Sequence, residues 1–142
     1  RLTLVCRVID RESERRARAT QGVDLVRGLT LDRLEALYAG SSLFVMPSLV
    51  EGFGQVYLEA LAQGCPVLGT ANTCLPDLGG EPDGIFLVTP GNIEELTSKL
   101  ELLARRLPGD QGLRRAARQC AVGFTWPAFR EGIRKSLSIH ED

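Results

Sequence analysis

Two acids and two glycines stand close together in the middle of the chain. Glu51 precedes Gly52, Phe53, Gly54 and Gln55, and Glu59 follows Glu51 by eight residues. Gly52 and Gly54 permit positive φ and close approach of the backbone to another group. The residues after Gly54 suit a helix. The free N–H groups and partial positive charge of its first turn would form a site for phosphate. No Lys-Ser/Thr pair follows the glycines, which argues against a loop that hydrolyses a nucleoside triphosphate. A carboxylate accepts hydrogen bonds from neighbouring hydroxyls, often two at once. Eight residues of helix span about 12 Å, comparable to the reach from a hexose across a diphosphate to a ribose. One acid can therefore hold a sugar and the other a ribose diol, with the diphosphate between them. The competing reading is two ordinary glutamates on a surface helix, and the spacing alone does not separate the two.

The elements that must position these residues follow from hydrophobic patterning. Leu2–Ile9 reads as a buried strand, Arg11–Ala19 as an exposed helix and Val23–Val26 as a second strand. Thr30 caps a helix whose apolar stripe is Leu31, Leu34, Leu37 and Tyr38, stopped by Gly40. Leu43–Met46 is a third strand, ended by Pro47. The helix at Gly54–Gln63 comes next, with Gly64 as its stop, then a strand at Pro66–Gly69. A loop follows, with a short helical turn at Pro76–Leu78, and then a strand at Ile85–Val88. Asn92 caps a helix running to about Leu107. Pro108-Gly109 breaks it before helices at Gln111–Val122 and Trp126–Leu137. Strands alternate with helices, and several strands are unbroken apolar runs. Both features point to an α/β fold, a Rossmann-like, doubly wound parallel sheet covered on two faces. Ligands of such sheets bind at the carboxyl ends of the strands, which is where the Glu51 loop falls.

Composition removes several functions. The chain has 142 residues, the size of one domain, with 44% apolar and 25% charged residues. Seventeen basic against eighteen acidic residues give a net charge of -1, so nothing draws it to nucleic acid or anionic lipid at long range. Cys6, Cys65, Cys74 and Cys120 are scattered and read as reduced thiols, with Cys65 a small buried apolar residue. The single histidine is His140, so clustered metal ligands are missing and no metal site is expected. No apolar run is long enough to span a membrane. A cytoplasmic location is expected, with any membrane contact left open. Trp126 and Phe129 read as core or inter-domain packing, Tyr57 as helix packing and Ser48 as a strand end. Asn72, Thr73 and Cys74 occupy a loop that could border a sugar.

The stretch PSLVEGFGQVYLEALAQGCPVLGT, residues 47–70, closely resembles the signature of retaining glycosyltransferases of the Glu-x7-Glu group, family four with the GT-B fold. Pro-Ser, Glu-Gly-Phe-Gly, Glu-Ala, a small residue, Gly and Pro-Val are all in place. The resemblance extends upstream through Val26-Arg27-Gly28 and the Leu34, Leu37, Tyr38 helix. Downstream it runs through Leu75-Pro76-Asp77, Gly84–Val88 and Phe124-Thr125-Trp126. It covers essentially the whole chain.

The resemblance implies that residues 1–142 are the nucleotide-sugar donor domain of such an enzyme. Glu51 would be the catalytic residue, contacting hydroxyls of the transferred sugar. Gly52, Phe53, Gly54 and Gln55 would line sugar and diphosphate through their main chain, and Glu59 would hold the ribose. The loop holding Arg27 and Leu29 would lie beside the base. Transfer would proceed with retention and without a metal or other cofactor, to a glycan or lipid-linked acceptor read by another domain. The acceptor hydroxyl would attack on the side from which the diphosphate leaves, with phosphate helping to take its proton. The family's diphosphate-clamping Arg and Lys, its first strand and its acceptor domain precede the region matched by Leu2–Ile9. The family's glycine after that strand is replaced by Arg7-Val8. The expectation is therefore a donor-domain piece truncated at its N-terminal edge and inactive alone. Two alternatives stay open: a glycogen- or sucrose-synthase-like or other GT-B nucleotide-sugar enzyme, and a non-catalytic regulatory domain that kept the fold. A response-regulator-like module is disfavoured, because only Asp10 stands at the end of the first strand.

Overall fold

The computed structural model describes residues 1–138, so His140 lies outside the described residues. The chain divides into two compact units, Arg1–Leu34 and Glu35 onward.

The first unit holds β1 (Leu2–Val5), α1 (Arg11–Ala19) and β2 (Val23–Val26). The strands pair in parallel, Leu2 opposite Val23 through Val5 opposite Val26. Asp10 caps α1, its Oδ1 accepting from the N–H groups of Glu12 and Ser13 at 3.0 Å each. Acids in the first turn and Arg16 and Arg18 in the last complement the helix dipole. The buried strand read over Leu2–Ile9 is corrected in both length and burial. Its last bond to β2 runs from the Cys6 N–H to the Val26 carbonyl at 3.3 Å, and β2 itself ends at Val26. Beyond that point there is no ladder to join, and Val8 is 89% exposed. Leu2 and Val5 are exposed as well.

The division falls within α2 (Leu31–Gly40), which leads to β3 (Phe44–Val45), α3 (Gln55–Ala62) and β4 (Val67–Thr70). Next come α4 (Leu75–Leu78), a 3-10 turn at Glu81–Asp83 and β5 (Ile85–Val88). Three helices follow, α5 (Ile93–Arg106), α6 (Gln111–Ala121) and α7 (Trp126–Ser138). β3, β4 and β5 form a parallel sheet in that order. All of β4 is buried. One face of the sheet presents Leu68, Phe86 and Val88 to Leu103 and Leu107 at the end of α5 and to Leu113 of α6. The other face carries Gly69, against which Tyr57 of α3 and Leu75 of α4 pack. Helices thus cover both faces of a parallel sheet, the doubly wound α/β class that the patterning implies.

Arg114 of α6 ties this unit together, donating to the carbonyls of Ser41 at 2.7 Å and Ala39 at 2.5 Å, at the end of α2. Arg118 donates to the Ala62 carbonyl at 3.1 Å, at the end of α3. Both cations meet the negative ends of helices.

Three expectations shift here. The fourth strand is Val67–Thr70 rather than Pro66–Gly69, since proline has no N–H to give the ladder. The third keeps only Phe44–Val45 in the ladder. Trp126 and Phe129 are 66% and 58% exposed, stacked edge-to-face at 5.8 Å, so neither is core. Tyr57 and Cys65 are buried as read. All four cysteines are free thiols.

Candidate functional site

The chain leaves β3 at Pro47 and reaches α3 at Gln55 through the loop that carries Glu51. Its far end is a left-handed turn. Gly54, the N-cap of α3, has φ 74° and ψ 56°, a conformation costly for any residue with a Cβ. A Cβ there would also lie 2.9 Å from the Tyr57 ring and 3.1 Å from Glu51 Cγ. Because Gly54 has no side chain, no side-chain cap closes the first turn of α3. The Tyr57 N–H already donates to the Gly54 carbonyl at 2.9 Å, which leaves the N–H groups of Gln55 and Val56 beside the loop.

Tyr57 braces the arrangement from below. It is fully buried, and its hydroxyl donates to the Met46 carbonyl at 2.6 Å. Burial, more than any neighbouring charge, pushes its phenol up to about 12. The ring passes over Gly69 because that residue has nothing to offer but a hydrogen. A Cβ at 69 would sit 2.7 Å from the phenol oxygen and 2.5 Å from Leu75 Cδ1.

Glu51 is half-buried and Glu59 exposed. Glu51 Oε1 accepts from the adjacent Gly52 N–H at 3.3 Å. Neither carboxylate is in an ion pair among the described residues. Gly52, Phe53 and Gln55 are exposed on the same rim, Phe53 at 48%. Glu51, Gly52, Phe53, Gly54 and Gln55 stand at the start of α3, whereas Glu59 is the fifth of its eight residues, so the expected eight-residue helical span between the two acids is corrected to a loop followed by Gln55–Glu59 of helix. Arg27 and Leu29 belong to the first unit, on the turn after β2, where Arg27 donates to Glu14 at 2.8 Å. Among the described residues no group of acids, histidines and cysteines has the arrangement of a metal site. No helix there is long and apolar enough to cross a membrane. A small apolar cavity of about 170 Å³ opens beside the loop, lined by Pro47, Leu49, Val88, Asn92, Ile93 and neighbours. None of the residues from Glu51 to Glu59 lines it.

Residues 1–106 match the family described as group 1 glycosyl transferases. The chain belongs to that family. Among curated relatives, the MMP alpha-(1->4)-mannosyltransferase of Mycolicibacterium hassiacum is 40% identical over 107 residues, covering 70% of this chain and 25% of the relative. The chain therefore spans about a quarter of that relative's length. The solved structure of sucrose-phosphate synthase from Thermosynechococcus elongatus superposes with a TM-score of 0.78 at 23% identity, over 99% of this chain and 39% of that one. Anabaena Alr3699/HepE in complex with UDP-glucose gives 0.72 at 22% identity, over 89% of this chain and 35% of that one. Both superpositions establish the shared α/β fold.

Within this group 1 domain, two supporting residues escaped the reading of the chain. Thr70 is fully buried and donates from Oγ1 to the Ser48 carbonyl at 2.6 Å. Gly69 makes room for Tyr57. A glycine inside an apolar strand is a recognised sign of close backbone approach, so Gly69 was open to detection. Thr70 offered no such sign, because a threonine ending a strand has many bland explanations.

Proposed function

We propose that this domain binds the nucleoside-diphosphate-sugar donor of a retaining glycosyltransferase. Glu51 takes hydroxyls of the transferred sugar. The main chain from Gly52 to Gln55 and the open first turn of α3 take the diphosphate, and Glu59 takes the ribose diol. The observation that carries this reading is the pair of carboxylates, without ion-pair partners among the described residues, one just before a helix start that no side chain caps and the other a turn into that helix. A structural neighbour that holds UDP-glucose supports it, and so does a mannosyltransferase relative, which puts mannose among the first donor sugars to test. Donor binding on this reading needs no metal. The acceptor is a glycan or lipid-linked sugar, and the reaction runs on the cytoplasmic side of any membrane involved.

Calorimetric titration with UDP, GDP, ADP and their sugar conjugates tests the proposal. Binding in the millimolar range, about −4 kcal/mol, is the expected scale for a shallow site. One base should be preferred. Glu59→Ala should abolish binding of the bare nucleotide, Glu51→Ala should remove only the gain from the sugar, and EDTA should change neither. A folded chain that binds no nucleotide at millimolar concentration would sink the reading.

A further inference from the structure

The Glu51 loop has little apolar anchorage. Leu49 is 67% exposed, Val50 79% and Phe53 48%. What ties it down comes from the segment leaving β4. Asn72 Nδ2 donates to the Leu49 carbonyl at 3.0 Å. The Glu51 N–H donates to the Asn72 carbonyl at 3.2 Å. One residue thus holds the loop on both sides of Val50, through its side chain and its main chain. Thr70 holds the preceding residue, Ser48, and Thr73 Oγ1 closes the turn by donating to the Thr70 carbonyl at 2.7 Å.

We propose that Asn72 is a positioning residue for Glu51, fixing the loop backbone so that the Glu51 carboxylate meets the hydroxyls of the donor sugar. The inference rests on the donor reading above. Asn72 acts through the backbone of residues 49–51 and not by touching the sugar. Thr70 serves the same loop, but its burial makes it part of the core. Asn72 is exposed, so its side chain can be removed without opening the fold. An exposed amide gains little by exchanging water for a carbonyl. Its value here is in selecting one loop conformation, and such preorganisation raises affinity by removing an ordering cost from binding.

The test compares the full chain with Asn72→Ala and Glu51→Ala by hydrogen exchange, melting and titration with UDP and UDP-glucose. Asn72→Ala removes the bond to the Leu49 carbonyl and leaves the Glu51 amide its main-chain acceptor at residue 72, so that amide should exchange roughly fivefold faster only because the untied loop opens more often. The melting temperature and the affinity for UDP should hold. The advantage of UDP-glucose over UDP should fall by roughly the same factor. Glu51→Ala should lose that advantage outright. Unchanged exchange of the Glu51 amide in Asn72→Ala would overturn the inference, even with sugar affinity lost, because Asn72 would then be touching the sugar itself. Faster exchange with the sugar advantage kept would overturn it too. A failure of the donor reading looks different. The wild-type chain would then bind UDP-glucose no better than UDP before any variant is compared, and the proposed role would fall with it.

Discussion

The two units of the chain use apolar sequence differently. In Arg1–Leu34 each strand has three apolar residues in four, yet the core residue there is Ala17, and Leu2 and Val5 stand exposed. Its side chains meet mainly through charge, Arg1 with Asp24 and both Arg18 and Arg27 with Glu14. From Glu35 onward, Tyr57, Leu61, Val67, Leu68, Leu75, Phe86 and Leu103 are all fully buried. Apolar content fixes what a strand can do, and burial depends on whether helices cover both of its faces. Exposed ion pairs contribute little to stability, whereas each buried side chain contributes about 1.5–3 kcal/mol. The proposed glutamate site stands on the second kind of scaffold, where positions are held tightly enough for geometry to matter.

That contrast predicts unequal responses to truncation. Phe86→Ala should destabilise the second unit by about 4 kcal/mol, while Leu4→Ala in half-buried β1 should cost about 1 kcal/mol. Urea unfolding midpoints of the two variants measure both, and equal shifts would erase the distinction. Amide exchange should rank the strands in the same order. The β4–β5 ladder should open only with global unfolding and the β1–β2 ladder at lower free energy. Uniform protection across all five strands would show one cooperative unit.

The smallest expected effect is alkaline. Both tyrosines, Tyr38 and Tyr57, lie in the second unit, and burial raises each from 10.0 to about 12. Their neutral forms are favoured in the fold. The stability they contribute is complete below pH 10 and is lost as pH rises from 10 towards 12. Burial also lifts the Cys65 thiol from 9.0 to about 11, which starts the loss earlier by the same sign. Tyr57→Phe should cost about 1 kcal/mol at neutral pH by removing one of two bonds to the Met46 carbonyl, which keeps the Ser48 N–H at 3.0 Å, and it should flatten the fall above pH 10. A pH series of melting curves on both proteins checks this, and a parallel fall in the two would remove Tyr57 as a cause.

Local rules carried much of the fold. Ile85–Val88 was legible because four apolar residues lie between Gly84 and Pro90, and Asn92 caps α5 by accepting from the Glu95 N–H as its residue type suggests. β1 was overread because a strand's length depends on its partner, and nothing near Cys6 announces that β2 stops at Val26. The 3-10 turn at Glu81–Asp83 was missed inside a glycine- and proline-rich loop. Around the site, the helix start at Gly54 was legible because the residues that build it are neighbours in sequence, while the eight residues of helix expected between Glu51 and Glu59 shrank because α3 begins only at Gln55. The bond from Asn72 to Leu49 joins residues 23 apart, and no periodicity encodes an encounter made by folding β4 beside β3. Arg27 and Leu29 follow from the resemblance alone, and both lie in the first unit.

The absence of a Cβ at position 69 has a consequence for descent. The phenol of Tyr57 and the methyls of Leu75 occupy the space that any side chain at 69 would need. Alanine at 69 forces the Tyr57 ring or the Leu75 side chain to shift, so what a change at 69 costs depends on which residues stand at 57 and 75. The same substitution is expensive in this background and cheaper in a cousin that carries smaller residues at the other two.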